Sequence, residues 1–529
     1  MTSRASLLVL MAVLASRCLT QPQIEWQRCL GGSADDEVND VLETPDGGYI
    51  LACMTMSADG DVTMNHGWSD AWLVKLDQGG NIEWQRTYGG TSGERAQAID
   101  LTADGGFIVA GSSGSDDGDL TQNHGMNDMW LFKVDATGDL QWQRSFGGSR
   151  HEVAYAVRQT PDGGYLACGR TISEDGDVVD WHPGYNSLGF PLYDYWVVKL
   201  DPNGNVLWTN ALGGTGDDHG FSMGLLADGG CLVGGICDSN NGDASGTHGG
   251  GDAWVVRLDS TGQVLWQKML GGSRGEYAYS ISAMKNASWL VAGQTNSDDG
   301  DVSGWHYGFD GYHKHDAWVV QLDSLGNIEW QKCLGGSERD NSWSATVGGD
   351  GGILVSGTVA SNDGDVTGNH GNYDAWISEL DSAGSLLWQL SLGGSGLDNA
   401  WAVCHGADGS CLLGGTAYSN DGDVVGHHLM ADGWVVKLAN GMPTTVDAEI
   451  DVMDMSVQFD RPSGELRITG NGSSHNARLK VHDAVGRVVW QGYVQGITHS
   501  VHLSDVNTGI YLVTMQFDGA FRSWRFLVD

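Results

Sequence analysis

Residues 95–146 read RAQAIDLTADGGFIVAGSSGSDDGDLTQNHGMNDMWLFKVDATGDLQWQRSF. Four short runs inside them, Arg95–Leu101, Phe107–Ser112, Met129–Val134 and Leu140–Phe146, follow a period of two. That period belongs to β-strands, where successive side chains point to opposite faces of a sheet. Residues 102–106, TADGG, join the first two runs, and residues 135–139, DATGD, join the last two. Aspartate followed by glycine suits a tight turn, so each pair reads as a hairpin. A longer acidic loop separates the hairpins.

This unit recurs through most of the chain. One tryptophan series, Trp26, Trp84, Trp142, Trp208, Trp266, Trp330 and Trp388, lies in variants of IEWQRCLGG and steps by 58, 58, 66, 58, 64 and 58 residues. A second, Trp72, Trp130, Trp196, Trp254, Trp318, Trp376 and Trp434, lies in variants of DAWLVKLD and steps by 58, 66, 58, 64, 58 and 58. Seven copies of four antiparallel strands predict an all-β chain built as a seven-bladed β-propeller. The hairpins also fix where a blade begins: at the strand before T-x-D-G-G. On that phase Ile24–Leu30 is an orphan fourth strand, and the last unit, Asp398–Leu438, has only three. The N-terminal strand is therefore expected to complete the seventh blade. The expected layout is a propeller over 21–442, a linker over 443–454 and a strand-rich module over 455–529 that suggests a small β-sandwich.

Composition agrees with many tight turns: Gly 81 and Trp 22 against Pro 8. The net charge of -40 argues against nucleic acid or an anionic membrane as partner, since both select basic surfaces. Residues 1–20 carry Arg4, an apolar run from Leu7 to Ala15 and a small or polar end. That pattern reads as a secretory signal peptide, the run being too short for a transmembrane segment. Cysteines at equivalent repeat positions, such as Cys53 and Cys168 or Cys231 and Cys411, fall on separate units. They read as small buried apolar groups rather than a disulfide framework.

The acidic loops raise two readings. Each holds a D-G-D or closely related triplet: Asp59 and Asp61, Asp117 and Asp119, Asp175 and Asp177, Asn241 and Asp243, Asp299 and Asp301, Asp363 and Asp365, Asp421 and Asp423. A histidine follows (His66, His124, His182, His248, His306, His370, His428), then an aspartate two residues before the tryptophan. Carboxylates around glycine suit calcium, which takes oxygen ligands, and calcium is the one cofactor expected as a candidate. The other reading is structural: Asp or Asn before glycine closes a turn while the histidine and later aspartate satisfy buried polar groups. Repetition seven times argues against catalysis by these residues.

Function is therefore sought where the copies differ. The third unit inserts eight residues within 182–194 and the fifth inserts six within 306–316. Both insertions are aromatic: Tyr185, Phe190 and Tyr193 in one, Tyr307, Phe309 and Tyr312 in the other. They flank a small, glycine-rich fourth unit, and are expected to form a groove for a glycan or protein ligand. A bland alternative is that the two insertions simply pack on each other. A hydrolase or lyase using Asp180, Asp194, Asp310, Asp316 and nearby histidines, a metal site of His313 and His315 with Asp310, and a purely structural surface component are further alternatives.

The repeat is similar to kelch-type propellers in strand order and in placing Gly-Gly after an apolar strand. At the C-terminus, residues 483–489 (DAVGRVV), 503–513 (LSDVNTGIYLV) and 525–528 (RFLV) closely resemble the type A C-terminal sorting domain of the type IX secretion system of Bacteroidota. The resemblance covers about the last sixth of the chain. It implies export through the type IX machinery as a partner, and a mature protein that is secreted or held at the outer-membrane cell surface.

Overall fold

A computed structural model describes residues 21–307 and 314–440 and, between Ser456 and Val528, the strands of a second unit. Strands β1 (Ile24–Leu30), β2 (Asp36–Glu43), β3 (Tyr49–Thr55), β4 (Asp70–Leu76) and β5 (Ile82–Tyr88) open the chain. β2 to β5 form the first blade, paired in sequence order, and five further blades repeat it. The seventh holds Asp398–His405, Cys411–Ala417 and Asp432–Leu438, with β1 antiparallel to the last so that Cys29 faces Trp434. The expected ring closure is thus present. First strands of successive blades pack on one another around the axis, and β2 meets Asp398–His405 to close the circle. One face carries the acidic loops and the other the short hairpin turns.

The hydrophobic cores lie between blades. The cluster holding Trp72 and Val74 also takes Ala402, Leu412 and Val435 from the seventh blade. Because both faces of a blade are covered, β3 and β4 are buried along their whole length, while the outer β5 is partly exposed. The two tryptophan series divide the work. Rings of the second series are 0–2% exposed, and the indole N–H of Trp72, Trp254, Trp376 and Trp434 donates to Gln85, Gln267, Gln389 and Gln27 at 2.7–2.9 Å. Each glutamine directly follows a tryptophan of the first series, which explains the recurrent W-Q pair.

The first series sits on the outer strands and covers the next blade's turn. Gly80, at φ +76°, would place a Cβ 2.7 Å from the Trp26 ring. Its counterparts Gly138, Gly204, Gly262, Gly326 and Gly384 meet Trp84, Trp142, Trp208, Trp266 and Trp330 in the same way. Glycine is required there both by the left-handed backbone and by the approach of the ring.

Eight cysteines, Cys29 to Cys411, are unbridged and wholly or largely buried. Burial pushes the thiols of Cys29, Cys231 and Cys404 up to about 12. Among the described residues no helix is long and apolar enough to cross a membrane. The second compact unit, Pro443–Asp529, contains two antiparallel sheets. One orders Ser456–Asp460, Glu465–Thr469 and Thr498–His502, and the other Val488–Gln495, Asn476–His482, Gly509–Phe517 and Ala520–Val528.

Candidate functional site

The D-G-D triplets tie each acidic loop to the connection arriving from the preceding blade. Asp59 accepts the Ser33 N–H at 2.8 Å and Asp61 the Gly31 N–H at 3.2 Å. Asp117 and Asp119 hold Thr91 and Gly89, Asp175 and Asp177 hold Ser149 and Gly147, and Asp299 and Asp301 hold Ser273 and Gly271. Asp421 and Asp423 hold Ser395 and Gly393, and Asp363 holds Ser337, beside which the Asp365 N–H donates to the Gly335 carbonyl. Asn241 replaces the carboxylate with an amide oxygen and still accepts from Thr215 at 2.9 Å.

Each histidine pairs with the aspartate before its own blade's tryptophan, and four of them also reach the next blade. His66 and His124 place Nδ1 2.6 Å from Asp70 and Asp128, and the same contact recurs at all seven positions out to 3.1 Å. The far ring nitrogen of His182 lies 3.6 Å from Asp243 on the next blade, and His124, His306 and His370 lie 3.9 Å from Asp177, Asp365 and Asp423. Burial raises the paired carboxyls, Asp194 to about 7 and Asp252 and Asp316 to about 6. Asp194 and Asp316, weighed above as acid–base groups, are strand residues without solvent-exposed surface. Among the described residues no group of three or more His, Cys, Asp or Glu is arranged to hold a metal.

The two aromatic insertions fare differently. In the third blade Tyr185 and Phe190 stay 53% and 63% exposed, with Tyr185 edge-on to Trp181. Tyr193 turns inward instead, its ring 4.3 Å from the Arg170 guanidinium and 5.0 Å from His219. In the fifth, Tyr307 is exposed, packs on Trp305 and donates to Asp298 at 2.6 Å. Phe309, Asp310, Tyr312 and His313 lie outside the described residues, as does the meeting of the two loops that the groove requires.

Tyr193 leads to a site that loop lengths do not reveal. Each first strand carries a β-bulge at its fourth residue, a device that re-aims a side chain. Those residues are Asn39, Gln97, Tyr155, Phe221, Tyr279, Trp343 and Trp401. From the third blade to the seventh they form one continuous arc of half-buried rings around the axis, with centroids 5.5, 5.1, 4.7 and 5.0 Å apart. Indole N–H donation from Trp343 to Thr358 and from Trp401 to Thr416, at 2.9 and 3.1 Å, fixes the two largest rings. The first two blades complete the circle with the amides of Asn39 and Gln97 and a 3.0 Å Arg95–Glu37 ion pair.

A polar cluster caps the start of the arc. Arg170 Nη1 lies 2.7 Å from His219 Nδ1, and His219 Nε2 lies 3.0 Å from Asp217. Arginine only donates, so Nδ1 accepts and the imidazole carries its proton on Nε2, toward the carboxylate. Burial pushes Asp217 up, but His219, the Tyr193 N–H and Arg170 together bring it below the usual range. Arg170 also lies 5.5 Å from the Tyr155 ring, so its cation is held between two aromatic faces. The signal for this site was present in the sequence as a column: the fourth residue of the first strand is polar in two copies and aromatic in five.

No known protein family matches the chain. A 143-residue stretch is 28% identical to Regulatory protein FlaEY of Caulobacter vibrioides, covering 24% of this chain and 14% of that protein. The chain thus spans about a seventh of that relative's length. Among solved structures it is similar to PorZ, a surface component of the type IX secretion system of Porphyromonas gingivalis, at 13% identity and a TM-score of 0.35, over 94% of this chain and 60% of that one. It is also similar to a quinohaemoprotein alcohol dehydrogenase from Comamonas testosteroni, at 13% identity and a TM-score of 0.41, over 84% and 80% of the two chains. A fungal alcohol oxidase in complex with copper matches at 13% identity and 0.42, over 96% and 99%. Likenesses this distant leave function to the chain's own residues.

Proposed function

We propose that the chain is an exported, non-enzymatic propeller that binds an extracellular glycan or protein at the axis. The observation that carries this is the asymmetric lining of a symmetric ring: five rings on one arc, amides and an ion pair on the other. Aromatic faces pack against the C–H faces of a sugar ring while amides and charged groups meet its hydroxyls, which favours a glycan over a protein. Exposed Tyr185, Phe190 and Tyr307 add aromatic surface on the loop face. An array of glycans and peptides probed with the protein tests the reading. Binding to glycans without turnover is expected, and silence toward both classes would overturn it.

Export rests on the signal-like residues 1–20 and on the likeness of 455–529 to type IX sorting domains. A chain lacking 455–529 is expected to stay in the periplasm of a type IX-competent host. Equal arrival at the cell surface would overturn that assignment.

A further inference from the structure

The hairpin face holds a cavity of about 260 Å³ between the sixth and seventh blades, lined by Gly348, Asp350, Glu379, Trp388 and His405 among others. Its position follows from the ring closure. Six first-series tryptophans are covered by the turn that joins the third and fourth strands of the next blade. The seventh, Trp388, faces the blade whose fourth strand comes from the N-terminus, and Pro22, Ala439 and Asn440 line the space instead.

The sister blades show what chemistry this space takes. Five of them put a cation from the third strand against the aspartate of the first hairpin: Lys75 to Asp46 at 3.1 Å, Lys133 to Asp104 at 2.9 Å, Lys199 to Asp162 at 2.9 Å, Arg257 to Asp228 at 2.6 Å and Lys437 to Asp408 at 3.3 Å. The lysine ammonium also donates to a backbone carbonyl, 3.1 Å from Leu76 and 3.2 Å from Val134 in the first two blades. The sixth blade keeps the aspartate, Asp350, but carries Glu379 in place of the lysine. Among the described residues neither carboxylate has an ion-pair partner. The hairpin position that holds threonine in the first three blades is Gly348 here, where a Cβ would lie 3.0 Å from both Asp350 Oδ1 and His405 Cε1. The glycine therefore lets carboxylate and imidazole approach each other and leaves room between them.

We propose that this cavity binds the protonated primary amine of an alkyl chain, in the place where the sister blades bind their own lysine. Asp350 and Glu379 supply charge-assisted acceptors. His405 lines the same space, and a Cβ on Gly348 would meet its Cε1 and Nδ1 at 3.0 and 3.2 Å. Trp388 contributes its ring, held by an indole hydrogen bond to Glu379, to which a cation is attracted. The volume falls below the ~300–1,000 Å³ of ordinary small-molecule pockets, which suits a group the size of one side chain. Among the described residues, Gly348, Gly349, Gly406 and Ala407 contribute lining without bulky side chains.

Calorimetric titration of the full protein with n-butylammonium and with Nα-acetyl-lysine methylamide tests the proposal, with n-butanol as the uncharged control. Both amines are expected to bind at one site and butanol to fail. Tighter binding of the lysine derivative assigns the pocket to a polypeptide partner, and tighter binding of butylammonium to a free amine. Glu379→Lys restores the sister arrangement, so it should abolish amine binding and raise the thermal midpoint. Glu379→Gln, which keeps the shape, should weaken binding about tenfold. Absence of amine binding by the natural chain, or unchanged binding by both variants, would overturn the proposal.

Discussion

Trp196 shows how closely the blades depend on one hydrogen bond. Among the described residues its buried indole N–H has no partner, because Thr209 stands where the sister blades carry glutamine, and the Thr209 hydroxyl bonds to the Asp177 carbonyl instead. A buried donor left unpaired costs about 1–3 kcal/mol. Thr209→Gln is expected to raise unfolding stability by about 1 kcal/mol in urea titration; a lower stability would show that the third blade has repacked around the gap. The aspartates of the acidic loops make the complementary case. Their oxygens already hold loop amides, and Asn241 does the same without a charge. A thermal melt is therefore expected to be unchanged by a calcium chelator, and a drop in midpoint would return calcium to these loops.

At the scale of elements, strand count, hairpin pairing and blade phase are all legible in residues 95–146 and their copies, because turn chemistry and period two are local properties. Ring closure is legible for the same reason: once the hairpins fix the phase, β1 has no other blade to join. Deleting residues 21–32 strips Asp432–Leu438 of its partner strand, removes the buried Cys29 and Leu30 side chains and leaves the Trp434 indole without Gln27. Burial of those side chains alone contributes about 3 kcal/mol or more, so the thermal midpoint should fall; an unchanged midpoint would contradict the closure. The proposed binding surface is harder to read. Insertion length draws attention to Tyr185 and Tyr307, yet the axis is lined from positions such as Trp343 and Phe221, where the unit keeps its length and changes only its side chain. Tyr193 alone belongs to both, since its contact with Arg170 depends on two segments brought together by the fold.

The whole molecule carries a pH signature. Burial raises Asp194 to about 7 and Asp252, Asp316 and Asp340 to about 6. Between the ordinary value of 3.8 and these values the folded chain binds more protons than the unfolded one, so stability rises as pH falls through that window. His306, raised by its bond to Asp316, acts in the same sense: its contribution is full below the ordinary 6.5 and is lost as pH rises above it. His151, His315 and His405, lowered by burial, oppose this as pH drops below 6.5. Asp46, Asp104 and Asp162, whose threonine and lysine partners outweigh partial burial, sit at about 2 and lose their contribution below 3.8. The thermal midpoint is expected to peak near about pH 5, and a peak at pH 8 would contradict this balance. A net charge of -40 adds self-repulsion that also weakens toward acid.

The central claim is that seven equivalent copies build the ring while the residues that differ around its axis bind the ligand. It is tested most directly by glycan binding of Trp343→Ala and Trp401→Ala beside His124→Ala. The account predicts that the two axial variants lose binding about tenfold or more while keeping their fold, each removed ring forfeiting its stacking. It predicts that the histidine variant melts lower yet binds as the natural chain does. Undiminished binding by both axial variants would contradict it.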